Sequence, residues 1–490
     1  MNILLVYPQV PDTFWNFKHI LRFISKKAVY PPLGLLTVAA ILPADWSKRL
    51  IDLNVATLSD VDIAWADLVL ISAMIIQKPS AEMVIERCRA QEKTILAGGP
   101  LFTARPEDFP TVDHIFIGEA ENTLPQFIRD RQLSRTARIY KSTDWPDIED
   151  SPTPLWSLIN LKDYVTVTLQ YSRGCPFDCE FCDVIILNGR VPRTKSPEKF
   201  IGELEALYQV GWRGTVFVAD DNLIGNKKRV KLMLRALSDW QKKQHYPFRL
   251  IAQASVNLAD DEELLNLMSK ANFFKVFLGI ETPNDVSLEE CGKLQNLRHD
   301  IADAVKIINR HGLQVMSGFI VGFDNDQADI FERQKRFIEM IGVPVAMVGL
   351  LTALPGTRLY ERLKAENRLI EESSGGNTDA VINFRPMMDK AELIRGYKRL
   401  MNLLYDARSY YGRINTFIRD YRHKVKGGSL KLNNIGAFLK SLVLIGFHHS
   451  TAPYYWRLLI KTLCLRPKTL ATAVELAIQG YHFKKIFLNM

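Results

Sequence analysis

Short apolar runs recur along the first 351 residues, each followed by a stretch of helical composition, and they fall into two series. The first comprises Ile3–Tyr7, Leu68–Ser72, Thr94–Ala97 and His114–Ile117, with Leu33–Leu42 and Ser80–Gln91 between them. Runs apolar on consecutive residues suit strands covered on both faces, as parallel strands are. The pattern predicts a doubly wound, Rossmann-like α/β domain over residues 1–135. Residues 136–163 are polar and broken by Pro146, Pro152 and Pro154, which reads as a linker. The second series runs Val165–Gln170, Thr215–Ala219, Arg249–Ala254, Lys275–Ile280, Gln314–Val321 and Val345–Leu351, again with helical stretches between. Six βα units over 164–360 predict a partial (β/α)6 TIM-like barrel with its site at the C-terminal ends of the strands. Beyond residue 360 the strands stop. Lys390–Tyr411 and Ala471–Lys485 read as helices, and Gly375-Gly376 and Gly427-Gly428 as loops. Residues 361–490 are expected to form a helical C-terminal domain capping the barrel mouth.

The first strand of the second series leads into Arg173-Gly174-Cys175-Pro176-Phe177-Asp178-Cys179-Glu180-Phe181-Cys182. The spacing C-x3-C-x2-C offers three thiolates to one centre. A cubane iron–sulfur cluster takes four ligands, so three cysteines leave one iron to something other than protein. A set of buried thiols, or a zinc knuckle short of its fourth ligand, are the plainer readings. Six cysteines in 490 residues are too few for a disulfide framework, and Cys88, Cys291 and Cys464 are scattered. That usage points to a reducing cytoplasm. The N-terminal Met1–Pro8 reads as a strand, not a signal peptide. No apolar run reaches the roughly 18 residues of a membrane span; the longest candidate, Ile435–Phe447, is interrupted by Lys440.

Each remaining strand of that series also ends in polar or small residues: Asp220, Asp221 and Asn222; Gln253, Ser255 and Asn257; Glu281; Ser317, Gly318 and Gly322; and Leu354-Pro355-Gly356-Thr357. Polar groups at apolar strand ends are expensive to bury unless paired. A single Asp there is often a helix N-cap, but several such clusters on one face argue for a site. An amino-carboxylate chelate would suit the open iron. Asp220 or Asp221 would suit its ammonium, Glu281 ribose hydroxyls, and glycines 318 and 322 a backbone lying against an adenine. In the front domain, the turn Ala97-Gly98-Gly99-Pro100 lets a ligand approach the backbone. No G-x-G-x-x-G is present, which disfavours a dinucleotide.

The cysteine loop, with Phe181 directly before its last cysteine, resembles the signature of radical S-adenosylmethionine enzymes. The resemblance implies a [4Fe-4S] cluster on Cys175, Cys179 and Cys182, and S-adenosylmethionine on the fourth iron. It implies a radical that takes hydrogen from an unactivated carbon. Asp220-Asp221-Asn222 stands where the family has a Gly-Gly-Glu-like motif. Gln253 and Ser255 match its ribose or carboxylate contacts, Glu281 its ribose contact, and Gly318 to Gly322 its adenine-side backbone.

The front domain is similar to the cobalamin-binding half of cobalamin-dependent members. Tyr30–Leu35, Ser72-Ala73-Met74, Gly98-Gly99-Pro100 and Gly118-Glu119 fall where that subgroup has its loops. None of the nine histidines lies in a D-x-H-x-x-G context. Cobalamin is therefore expected base-off, without a histidine ligand, over water or a non-coordinating side chain. Met74 is a candidate for that place, core packing being its other reading. Domain order and the basic tail look most like the subgroup with the hopanoid C-2 methylases. That implies methylation of an unactivated carbon, on a lipid or polyprenoid, with flavodoxin or ferredoxin as electron donor. A non-methylating cyclase or rearrangement enzyme, and an iron–sulfur nucleic-acid-binding sensor, are the alternatives.

The net charge of +9 is uneven. From residue 401 onward there are 14 Lys/Arg against 3 Asp/Glu, leaving the rest slightly negative. Such a segment suits an anionic membrane surface. The expected contacts are Phe438, Leu439, Leu442, Val443 and Leu444 with Lys440, or Tyr454, Tyr455, Trp456, Leu458 and Leu459 with Arg457 and Lys461. Ordinary helix packing is the alternative. No nucleic-acid recognition motif is present, and no nucleic acid is expected as a partner.

Overall fold

A computed structural model describes residues 1–371, 373–376, 379–427 and 432–487, with backbone alone at Arg22 and 432–434. Gly428, expected in a loop, lies outside the described residues.

The front sheet contains β1 (Asn2–Tyr7), β2 (Ser47–Asp52), β3 (Leu68–Ser72), β4 (Thr94–Gly98), β5 (His114–Ile117) and β6 (Ile139–Lys141). All pair in parallel, in the order β2-β1-β3-β4-β5-β6. Alternation along β1 explains its unbroken apolar run. Leu4 and Val6 enter the core on one side of the sheet, and Ile3 and Leu5 the core on the other. The two strands that sequence reading missed are the edges, β2 and β6. An edge strand carries charge to discourage further pairing, and Lys48, Arg49 and Lys141 hide its strand character. The front sheet thus runs past residue 135. Residues 142–163 are not a free connector either, since Ile148 and Trp156 are buried.

The second sheet contains β7 (Thr166–Leu169), β10 (Thr215–Val218), β11 (Arg249–Ala254), β12 (Phe273–Glu281), β13 (Gln314–Val321) and β14 (Ala346–Leu350). It is wholly parallel, in the order β14-β13-β12-β11-β10-β7. Two further short strands, β8 (Ser172–Arg173) and β9 (Arg193–Thr194), pair antiparallel and hold the cysteine loop between them. Alternate side chains such as Val216, Val276, Leu278, Phe319 and Val348 are fully buried among the outer helices. Phe217, Ile251, Phe277, Ile320 and Met347 share the inner face and remain half-buried.

A six-stranded partial barrel leaves two open edges, and both are covered. On β7, Thr166 N donates to Val29 O and Val165 N to Ala28 O. On β14, the hydroxyl of Tyr397 donates to Val348 O at 3.1 Å and that of Tyr405 to Ala346 O at 2.6 Å. Tyr397 belongs to the helix Lys390–Leu404, and Tyr405 is its C-cap.

The C-terminal helices do not cap the barrel mouth as expected. Lys275, near the start of β12, pairs with Glu475. Asn272 Nδ2 donates to Lys426 O at 3.0 Å, and buried Arg413 to Val343 O at 3.0 Å. All these partners lie at the N-terminal ends of the strands. The amphipathic helices cover the β14 edge and the barrel floor, where their apolar residues join the barrel core. The helix Arg358–Ala365 lies at the mouth instead, with Leu359 N donating to Glu180 O at 3.0 Å.

Candidate functional site

The cysteine loop is built from its stem upward. Asp220, at the end of β10, is fully buried and spends both oxygens on the stem, accepting from Tyr171 N at 2.7 Å and Ser172 Oγ at 2.6 Å. Asp221 accepts from Gly174 N at 2.9 Å and Asn188 Nδ2 at 3.0 Å. One or the other of these carboxylates was expected to meet a ligand ammonium, and both instead hold the loop in shape. Gly174 has φ +96, and a Cβ there would lie 2.9 Å from Gly189 O, so glycine is required.

Burial pushes the Asp220 carboxyl up to about 7, against the hydrogen bonds it accepts. A raised folded-state value means stability that is fully present below the unfolded value and lost as pH rises through about 7. The Asp220→Asn variant is therefore expected to flatten the pH dependence of thermal unfolding between about 4 and 7. An unchanged slope in melting scans across that range would refute the assignment.

Asn222 is placed differently from its two neighbours. Its Nδ2 donates to Ser255 Oγ at 3.2 Å and approaches Cys175 Sγ at 3.9 Å. Its Oδ1 is buried with no hydrogen-bond partner. An orphaned buried acceptor beside Cys175 would suit an ammonium donor. Ser255 Oγ donates in turn to Asn257 Oδ1 at 2.7 Å.

The other wall is residues 290–295, which sequence reading missed. Glu180 N donates to Cys291 O at 2.8 Å. Gln295 Nε2 stands 3.9 Å from Cys179 Sγ. Lys293 Nζ lies 6.0 Å from the Phe181 ring centre and 2.6 Å from Glu281 Oε1. Glu281 has φ +69 at a register shift in β12, a left-handed conformation uncommon for non-glycine residues. Arg362 adds a clamp from the mouth, meeting Glu180 Oε1 at 2.7 Å and Asp324 Oδ2 at 2.8 Å.

Of the other residues expected at the mouth, Gln253 and Gly318 share the inner face, the former opposite Phe277 and the latter opposite Gly279. Gly322 does not join them: its N donates to buried Asp326 at 2.8 Å, and a Cβ there would meet Leu393 at 3.2 Å.

All three loop cysteines are free thiols. Burial raises Cys175 and pushes Cys182 up to about 12. They bind a metal centre only by releasing these protons. Among the described residues, no three His, Cys, Asp or Glu groups converge on one metal ion. A cluster, with a separate iron for each thiolate, makes no such demand.

The front-domain loops point toward this hairpin. Ser72 and Gly99 pack together: Gly99 has φ +90, and a Cβ there would lie 2.8 Å from Ser72 Oγ. Ala73 N donates to Gly98 O at 3.3 Å, and Pro100 opens a short helix. Met74 is 41% exposed, its N accepted by Gln77 Oε1 at 2.8 Å. Gly118 has φ +85 with open space on its Cβ side. The open space beside Gly118 leaves room for a ligand to approach the backbone at that strand end. Glu119 departs from the expected role: it binds both Arg173 and Arg193, the two strands of the cysteine hairpin. Arg173 also meets Glu121 Oε1 at 2.7 Å. Trp15 and Tyr30, from the segment after β1, reach the barrel's inner face, with ring centres 5.3 Å from Phe277 and 5.7 Å from Phe217.

Comparison with known proteins follows the same division. Residues 22–128 match the B12 binding domain, 169–338 the Radical SAM superfamily, and 357–490 a domain of unknown function, DUF4070. An uncharacterized methyltransferase of Synechocystis is 40% identical over 99% of this chain and 91% of its own length. The hopanoid C-2 methylase of Rhodopseudomonas palustris is 35% identical over 89% of this chain and 85% of its own length. Among solved structures, the cobalamin-dependent radical enzyme OxsB, with aqua-cobalamin and S-adenosylmethionine bound, superposes with a TM-score of 0.65 at 15% identity, over 100% of this chain and 80% of its own. TsrM from Kitasatospora setae, with cobalamin and a [4Fe-4S] cluster bound, gives a TM-score of 0.62 at 13% identity, over 98% of this chain and 99% of its own.

Proposed function

The chain belongs to the cobalamin-dependent radical S-adenosylmethionine methyltransferase family, and on that footing we propose that it methylates an unactivated carbon of a lipid or polyprenoid. The observation that carries the substrate class is the inner face of the barrel. Its half-buried side chains Phe217, Ile251, Phe277, Ile320 and Met347 are apolar, and Trp15 and Tyr30 cover it with aromatic rings. Lys275, on the same face, is neutralised at the floor by Glu475. Such a lining suits a large apolar substrate. The relative that methylates hopanoids points the same way.

Cys175, Cys179 and Cys182 would hold the cluster, with Phe181 and Lys293 beside them. Asn222 Oδ1 and Ser255 would meet the amino-acid end of S-adenosylmethionine, Glu281 its ribose, and Gln253 and Gly318 the adenine side. Ser72, Met74, Gly98, Gly99, Pro100 and Gly118 would face cobalamin. When bound, the cluster and S-adenosylmethionine supply hydrogen abstraction, and cobalamin supplies the methyl group. The chain itself contributes alignment. The Glu119–Arg173–Arg193 clamp fixes the two cofactor-bearing faces against each other, which proximity at one carbon requires. A low-potential donor such as flavodoxin or ferredoxin would deliver the electron, in a reducing cytoplasm.

The lipid reading is tested with Phe277→Asp. Lipid methylation is expected to fall at least tenfold, with iron binding retained. Unchanged lipid turnover would refute the inner face as the substrate wall.

A peripheral membrane contact is supported by the helices Leu432–Leu444 and Ala452–Leu465. Leu439, Val443 and Phe447, four residues apart, are all exposed, Phe447 by 79%. Ile460, Leu463 and Leu465 are exposed on the second helix. Tyr455, Leu458 and Leu459, expected at the surface, are buried instead. An apolar face in a segment with excess Lys and Arg suits an anionic bilayer surface. No helix among the described residues is long and apolar enough to cross a membrane. Flotation with phosphatidylglycerol vesicles is expected for the full chain and lost in Leu439→Asp/Phe447→Asp; equal flotation of both would refute this contact.

A further inference from the structure

The pair Lys293–Glu281 stands in a space made for it. A Cβ on Gly279 would lie 2.5 Å from Glu281 Oε1 and 2.7 Å from Lys293 Nζ, so any larger residue there would push the pair from its place against β12. The loop carrying Lys293 is pressed onto the cysteine loop, because a Cβ on Gly292 would meet Asp178 O at 3.0 Å. Lys293 is nearly buried, at 12% side-chain exposure. Lys293 Nζ stands 6.0 Å from the ring centre of Phe181, the residue directly before Cys182. Glu281, 2.6 Å away, keeps the ammonium against the burial that opposes it.

We propose that Lys293 is a positioning residue whose fixed ammonium, held by Glu281 over Gly279, faces the cluster and raises its reduction potential. Uptake of one electron from an external low-potential donor adds one negative charge to the cluster, and a cation held close stabilises that charge. Charge and hydrogen bonding around a cluster are what set its potential. The inference rests on the three cysteines holding the cluster, and on no assignment of substrate.

The test is a redox titration of the anaerobically reconstituted chain, followed by the electron paramagnetic resonance of the reduced cluster, without S-adenosylmethionine, cobalamin or lipid. Lys293→Met and Lys293→Gln are expected to shift the midpoint to more negative potential. Lys293→Arg is expected to keep it near the parent value, and Glu281→Gln to move it to more positive potential. If the neutral variants lose iron and Lys293→Arg keeps it, the charge is again what matters. Full iron loading with an unchanged midpoint in Lys293→Met overturns the proposal, as does equal iron loss in all three Lys293 variants. Because no substrate is present, a wrong substrate class leaves the result intact.

Discussion

Replacing Cys179 by alanine is expected to abolish both the cluster and the cleavage of S-adenosylmethionine while leaving the fold in place. The loop does not depend on its thiols for shape. Asp220, Asp221, Gly174 and Arg173 hold its stem through oxygen and nitrogen contacts. The nearest polar contact to Cys179 Sγ is Gln295 Nε2 at 3.9 Å, a weak one. Removing one sulfur at this site is expected to cost no more than about 1 kcal/mol. A three-ligand cluster with one ligand missing is held by two, and iron is expected to fall to background. Iron per chain, the visible absorption of the reconstituted protein and 5′-deoxyadenosine release are the readouts, with far-ultraviolet circular dichroism as the fold control. Undiminished 5′-deoxyadenosine from Cys179→Ala would remove the cysteine loop from the mechanism. The same loss is expected for Cys175→Ala and Cys182→Ala.

The largest stability effect is expected at Arg173. Its guanidinium is mostly buried between Glu119 and Glu121 of the front domain, and those carboxylates are buried with it. Arg173→Met leaves Glu121 without a cation and Glu119 with Arg193 alone. Breaking a buried ion pair by removing one partner costs about 3–5 kcal/mol. The variant is therefore expected to melt several degrees lower and to load less iron, since Arg173 directly precedes Gly174 and Cys175. A double-mutant cycle with Glu119→Gln measures the coupling. Strictly additive losses would show that the clamp joins nothing.

The second loss has a companion in what sequence reading could and could not see. The apolar runs were visible because central parallel strands are buried on both faces. Edges β2 and β6 were not, because edges carry the charge that disguises them. Cys175, Cys179 and Cys182 were visible because their chemistry sits within eight residues of chain. Asp220 and Asp221 were visible as polar strand ends, but strand position does not reveal which partner an oxygen will take, and theirs were backbone amides and side chains of the loop. Glu119 was visible as a strand-end acid and went to the opposing domain for the same reason. Lys293 and Gln295 had no local signal beyond Gly292, because the cysteine loop they approach, at Phe181 and Cys179, lies more than a hundred residues away. The C-terminal helices announced their apolar faces, yet amphipathicity does not say which surface a helix will cover. The helices went to the β14 edge and the barrel floor.

The central claim, methyl transfer between two cofactor-bearing faces, is tested most directly by product mass. The reconstituted full chain is incubated anaerobically with S-adenosylmethionine, a reductant and a polyprenoid or triterpenoid lipid extract, with and without cobalamin. The expected product is a lipid heavier by one CH2 that forms only when cobalamin is present. Release of 5′-deoxyadenosine with a cobalamin-dependent product of no added carbon would contradict it, and would assign the same machinery to ring closure or rearrangement.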